Sequence, residues 1–237
     1  MLAAKAMAAE LSECGINFNL APVADLNLNP DNPIIAQYER SFGEEPDVVA
    51  DHCQAVIQGH HKYGVACCLK HFPGHGSASG DSHLGFVDIS KDWQEQELAP
   101  YKIMIERCHV DAIMTAHVVH YGLDPSGLPA TLSPVMINAM LRRDLGFDGV
   151  IVTDDLQMKA ISSRYGLKEA VQRAVLAGAD LLIVGNNLER NPGALEQGIA
   201  AIEELLDQGR ISEERIQASL QRVDLLLQFI LRGKRVL

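Results

Sequence analysis

The feature that most limits how this chain can fold is an alternation of short apolar runs with longer amphipathic ones. Residues 17–25, 65–69, 112–118, 149–154 and 179–184 are apolar almost throughout and short enough to be strands. Between and after them, residues 2–14, 47–63, 93–108, 133–146, 167–176, 193–208 and 212–232 carry helical spacing. In the first of these, Leu2, Ala6, Met7 and Leu11 fall along one stripe, and Gly15 closes the helix. Strands without polar alternation, joined by helices, predict the α/β class with a parallel sheet.

The polar residues then narrow the architecture. Asp25, Lys70 with His71, His117, Asp154 and Asn186 each stand at the carboxyl end of a predicted strand. A doubly wound sheet gathers its ligand groups at one switch point, whereas a (β/α)8 barrel draws them from many strand ends. The spread predicts a TIM-type (β/α)8 barrel. Five strands cannot close eight, and no internal repeat supplies more, so the expected fold is an incomplete barrel with part of it absent, residues 1–237 making one domain. Residues 26–46, rich in Asn and Pro, form a loop long enough to predict a functional role.

Charge and cysteine usage exclude some partners. With 20 Lys and Arg against 31 Asp and Glu, the net charge of -11 argues against nucleic acid and anionic membranes. No export signal or membrane span is legible, since Lys5, Glu10 and Glu13 interrupt the alanine-rich start. The five cysteines, 14, 53, 67, 68 and 108, show no C-x-x-C spacing. They predict buried thiols in a reducing, cytoplasmic setting, with Cys67 and Cys68 on opposite faces of their strand.

Chemistry concentrates in Lys70-His71-Phe72-Pro73-Gly74-His75-Gly76, continued after four residues by Asp81-Ser82-His83. Pro73 and three glycines rule out a regular helix, so these side chains ride on a loop leaving a strand. The stretch resembles the signature of the bacterial β-N-acetylhexosaminidases of glycoside hydrolase family 3. Other segments agree in the same order: Ala21-Pro22-Val23-Ala24-Asp25, Arg40-Ser41-Phe42-Gly43, Met114-Thr115-Ala116-His117, Pro129-Ala130-Thr131-Leu132-Ser133, and residues 146–155 ending in Thr153-Asp154-Asp155. The resemblance implies a retaining exo-glycosidase removing terminal β-linked N-acetylglucosamine, built on a (β/α)8 barrel without a cofactor. It also brings two departures. The family's further N-terminal strands, with an Asp-Gln-Glu-Gly-Gly-Arg segment that helps hold the sugar, have no counterpart here, so by resemblance the barrel is expected to lack its N-terminal strands, and Val87 stands where a proline is usual.

By resemblance, Asp154 is the nucleophile; Val150 and Val152 precede it on the same strand face, which suits a carboxylate at the top of a barrel interior. The bland alternative is a helix N-cap, a role assigned here to Asp155. A retaining glycosidase also needs a proton donor. The matching residue is His83, with Asp81 two positions before it, close enough to accept from one ring nitrogen while the other faces the leaving group. Lys70, His71 and Arg40 are expected to bind substrate, although Arg40 could instead pair with Glu44 or Glu45. Asp25 and His75 are expected to shape loops, Asp25 by accepting neighbouring amides, and His117 could line the pocket or pack. Two other readings stay open: His71, His75, His83 and Asp81 as ligands of a metal-dependent hydrolase, and a non-catalytic barrel fragment. The expected substrate is an amino-sugar oligosaccharide, a muropeptide in cell-wall recycling or a chitin fragment; oligomeric state is not legible.

Overall fold

The computed structural model describes residues 1–107 and 110–233, so Cys108 lies outside the described residues. The strands are β1 (Phe18–Asn19), β2 (Ala66–Phe72), β3 (Val87–Asp88), β4 (Ala112–Thr115), β5 (Val118–Val119) and β6 (Val150–Thr153). β1, β2, β4 and β6 make one parallel sheet in that order, while β3 pairs with β5 beside it. The helices are α1 (Leu2–Glu13), α2 (Pro46–His61), α3 (Ala99–Arg107), α4 (Lys159–Ser162), α5 (Leu167–Ala177), α6 (Ala194–Asp207) and α7 (Glu213–Gly233). A 3₁₀ turn, Glu95–Leu98, leads into α3, and the helix expected near 133–146 is a π-helix, Val135–Asp144.

The α/β class and the parallel, barrel-type order agree with the sequence, but both outer strands are shorter than expected. Of residues 17–25 only two form a regular strand. The rest run along β2, with Cys68 N donating to Ala21 O at 2.9 Å and Ala24 N to Lys70 O at 2.6 Å, and Pro22 has no N–H for the ladder. Residues 179–184 run beside β6 but make a single bridge, Val152 with Leu181. There the amides of Asp180 and Leu181 both donate to Ile151 O, and Ile183 N donates to the Thr153 side chain rather than to a carbonyl. The result is an arc of strands that does not close among the described residues.

Alternation along each strand divides the core in two. Cys67, Leu69, Ile113 and Ile151 face outward and pack with α2, α3, the π-helix and α5. Ala66, Cys68, Ala112, Met114, Val150 and Val152 face inward, where Leu226 and Ile230 of α7 cover them. The adjacent cysteines therefore separate to opposite faces, as expected. The stripe expected on α1 is not its buried one. Leu2 and Met7 are exposed, while Ala4 and Ala8 are buried, because α1 lies so close to α2 that a Cβ at Gly59 would stand 2.7 Å from that of Ala4.

A buried charge network holds α7 against the sheet. The fully buried Asp180 carboxylate accepts from Ile151 N at 2.9 Å and from Arg142 and Ser219, with Arg222 Nη1 at 3.3 Å and Arg215 Nη1 at 3.8 Å. Removing one partner of such a network leaves uncompensated charge in the interior. Asp180→Ala is expected to lower stability by about 3–5 kcal/mol. Arg173→Ala, which breaks an exposed pair with Glu169, is expected to change it by less than about 1 kcal/mol. Urea unfolding of both variants measures this, and similar losses in the two would mean that Asp180 does not anchor α7.

Candidate active site

The inward alternation Ala66, Cys68, Lys70 on β2 and Val150, Val152, Asp154 on and just past β6 brings a lysine and an aspartate to the same end of the sheet. They line one cavity of about 320 Å³ together with Arg40, His71 and His83, and Ile34, His75 and Ser82 complete its wall. Five of the six residues predicted as catalytic or binding thus meet, and the sixth, Asp81, reaches the cavity through His83. The β2–β4 register slips between Lys70 and Phe72, where the strand gives way to the loop.

Two Asp–His pairs serve this cavity in different surroundings. His71 Nδ1 donates to Asp25 Oδ2 at 2.7 Å, with both side chains almost wholly buried. His83 Nδ1 donates to Asp81 Oδ1 at 2.7 Å, and its ring is half exposed at the cavity's rim. The Asp81 carboxylate also accepts the His83 amide at 2.8 Å, so the two-residue spacing closes a turn that orients the ring.

Asp25 grips the whole exit of β2. Besides the His71 ring, it accepts the His71 amide at 3.2 Å and the His75 amide at 2.8 Å. The expected loop-holding role is correct, and its bond to the His71 imidazole goes beyond it. Burial alone would raise its pKa, but the charge and hydrogen bonds of His71 outweigh this and hold it below the usual carboxylate range.

Other groups complete the hold on the loop. Asn32, fully buried, donates to His75 O at 2.8 Å and Gly76 O at 3.2 Å, while its Oδ1 accepts the Ile34 and Ile35 amides. The long 26–46 segment is thereby folded down as the cavity's wall. Gly76 is forced by close approach, since an added Cβ would stand 1.7 Å from Leu26 O. Trp93 Nε1 donates to Pro73 O at 3.1 Å. The His75 ring itself is buried and has no hydrogen-bond partner among the described residues, and burial lowers its pKa to about 4, so it is a neutral wall.

Electrostatics suits Asp154 to remain ionised. Burial opposes its charge, but His71, the Asp155 amide at 2.8 Å and Lys70 more than compensate, and its pKa is lowered. Lys70 is lowered by burial and by the charge of Arg40, against the pull of Asp154. Arg40 Nη1 donates to Ile34 O at 2.9 Å, and among the described residues it makes no ion pair with Glu44 or Glu45.

His117 packs behind the cavity rather than lining it. Its Nε2 lies 2.9 Å from the Asp155 carbonyl, which can only accept, so the proton of the neutral ring sits on Nε2, while Nδ1 faces Thr131 Oγ1 at 2.8 Å. Burial lowers its pKa, which favours this neutral form. The ring thus braces the peptide that follows Asp154. The helix cap expected of Asp155 is not there. α4 begins after Met158 without a side-chain cap, and Asp155 Oδ1 instead accepts the Gln157 and Gly185 amides at 3.0 and 3.1 Å, because three more residues of turn intervene. As for metal ligation, among the described residues no three His, Cys, Asp or Glu side chains gather as a ligand set.

Residues 2–226 match the glycosyl hydrolase family 3 N-terminal domain. The chain is 34% identical over 235 residues to β-hexosaminidase A of Pseudoalteromonas piscicida, covering 93% of this chain and 39% of that protein. It is 40% identical over 185 residues to a β-hexosaminidase of Neisseria meningitidis serogroup C (strain 053442), covering 77% and 50%. Among solved structures, a glycoside hydrolase family 3 β-N-acetylglucosaminidase from Paenibacillus sp. str. FPU-7 superposes with a TM-score of 0.89 at 43% identity, covering 96% of this chain and 43% of that one. The chain spans half or less of the length of these relatives.

Asn32 carries the wall of the cavity, and removing its side chain leaves two buried carbonyls and two buried amides short of partners. Asn32→Ala is expected to cost about 2–3 kcal/mol by chemical denaturation. A loss below about 0.5 kcal/mol, typical of a surface change, would contradict this reading of the loop.

Proposed function

This chain belongs to glycosyl hydrolase family 3, and from that premise we propose that its cavity is the active site of a retaining exo-glycosidase acting on terminal β-linked N-acetylglucosamine. The observation that carries the reading is the meeting of the ionisable Asp154 with the Asp81–His83 pair across one cavity. The names of the β-hexosaminidase and β-N-acetylglucosaminidase relatives support the sugar.

In the first step the Asp154 carboxylate attacks the anomeric carbon, and the glycosidic C–O bond breaks as the His83 imidazolium gives its Nε2 proton to the departing oxygen. Asp81, accepting from Nδ1–H, keeps Nε2 turned to the cavity. In the second step neutral His83 takes a proton from water at Nε2; the resulting hydroxide attacks the anomeric carbon and frees Asp154. A histidine suits both halves because its ordinary pKa of about 6.5 lies close to neutral pH. Lys70, His71 and Arg40 donate to sugar hydroxyls, with Asp25 fixing the His71 ring and His117 bracing the peptide after Asp154.

The natural substrate we propose is a peptidoglycan fragment in cell-wall recycling. A cytoplasmic setting agrees with the free thiols of Cys14, Cys67 and Cys68.

Asp154→Ala is expected to abolish turnover of every substrate, because the covalent route disappears for good and poor leaving groups alike. Asp155→Ala should retain turnover and lose about 1–2 kcal/mol of stability. In His83→Ala, hydrolysis of a poor leaving group should slow about 10²–10⁴-fold. Release of an activated aryl group should then show a burst, since the intermediate forms but is no longer hydrolysed. Asp81→Asn should act in the same direction but less severely. Pre-steady-state release from an aryl N-acetylglucosaminide, beside turnover of a disaccharide, measures all of this. Equal loss on both substrates without a burst would remove His83 from proton transfer.

A further inference from the structure

Among the buried polar groups that the mechanism does not use, Glu97 is the one whose contacts lead back to the cavity. Its side chain is fully buried, yet it stands on the short 3₁₀ turn before α3 rather than on a strand end. Oε2 accepts the Gly76 amide at 3.0 Å and the Ser77 amide at 3.4 Å, and Oε1 accepts Ser77 Oγ at 2.5 Å and the Gln94 amide at 3.4 Å. Only the Gln94 contact is local, as part of a capping box. The other three lie in turn 74–77, and a Cβ at Gly74 would meet that of Glu97 at 2.6 Å. Every partner is a donor.

We propose that Glu97 is a positioning residue: through turn 74–77, its carboxylate sets where the segment carrying Asp81 and His83 leaves the scaffold, and hence where the His83 ring stands over the cavity. This rests on the role of His83 proposed above. Beyond the turn, Ala78 is buried against Val87, Ile89 and Val118 and its carbonyl accepts from Asn29 Nδ2 at 3.1 Å, Ser79 Oγ donates to Asp92 Oδ2 at 3.2 Å, and Ala160 N at the start of α4 donates to Ser82 O at 3.1 Å. The start of the arm is therefore held from two sides, by Asn29 and Asn32 of the long loop and by Glu97 through Ser77, and among the described residues Glu97 is the one titratable group that bonds Ser77 directly. The titratable groups facing Glu97 are Asp25, across the turn, and Tyr101, on its own helix, while His75 within the turn couples to Asp25.

The device has a sign that a purely structural role lacks. Burial, with the nearby Asp25 charge, raises the Glu97 pKa to about 7 against the hydrogen bonds from Ser77 and Gln94. The contribution of Glu97 to global stability is therefore full below its unfolded pKa and is lost as pH rises through about 7. Positioning runs the other way. A protonated, neutral carboxyl accepts the Gly76 and Ser77 amides less strongly than a carboxylate does, so the turn loosens as pH falls.

The test is amide hydrogen exchange of the full chain, corrected for intrinsic rates, with urea unfolding at the same pH values. Protection at Gly76 and Ser77 should fall about tenfold from about pH 8 to pH 6 while global stability relative to Glu97→Gln rises. Glu97→Gln should show low, pH-independent protection there with β2 and α2 unchanged, and Ser77→Ala should give part of the same effect. Turnover of an aryl N-acetylglucosaminide should show kcat reduced about ten- to hundredfold in Glu97→Gln, KM little moved and the acid limb near pH 7 gone. Protection at 76–77 that tracks global stability, or that survives in both variants, would overturn the proposal. Exchange as expected in a chain without turnover would sink the glycosidase reading and leave the clamp standing.

Discussion

The site depends on one buried carboxylate. Asp25 sits where the segment after β1 passes the end of β2, and it takes two amides and one imidazole from the chain leaving that strand. A charge without water is tolerable only when donors surround it, so the folded position of residues 71–75 is set by the need to satisfy Asp25 as much as by the strand beneath. Asn32 then closes the long 26–46 loop over the same backbone, and Glu97 holds the next turn. Three polar side chains from three separate parts of the chain thus converge on one irregular stretch, and the aimed side chains, Lys70, His71 and His83, are consequences of that convergence.

Two histidines are prepared for different work by similar partners. Both donate from Nδ1 to an aspartate at 2.7 Å, but the Asp25–His71 pair is sealed in the interior while the His83 ring is half exposed. A sealed pair keeps a fixed hydrogen-bonding face for a ligand; an exposed one can exchange protons with solvent between the two halves of a reaction. Asp154 is buried, yet flanking positive charge and the Asp155 amide keep its pKa low, which suits a group that attacks as an anion.

Much of this was legible in the sequence because it depends on local pattern. The apolar runs marked the strands, and their alternation set Lys70, Val150, Val152 and Asp154 on one face. The two-residue spacing of Asp81 and His83 was enough to foresee their bond. What was not legible depends on contacts between distant segments. Nothing in the surroundings of Glu97 distinguishes it from a surface helix residue, and Asn32 is one asparagine among several. The Leu2, Met7 stripe misled because close packing of α1 on α2 selects the smallest side chains, not the most apolar. Asp155 caps a turn rather than a helix because α4 starts later than Asp155 and its neighbours suggest.

In the proposed mechanism Asp154 becomes covalently bonded to the sugar while His83 handles the protons. This is tested most directly by quenching the reaction of His83→Ala with an activated aryl N-acetylglucosaminide in acid and mapping the digested chain by mass spectrometry. The account requires one added N-acetylhexosaminyl group on the peptide containing Asp154, and none when Asp154 is also replaced. An adduct on a different residue, or its persistence without Asp154, would contradict it.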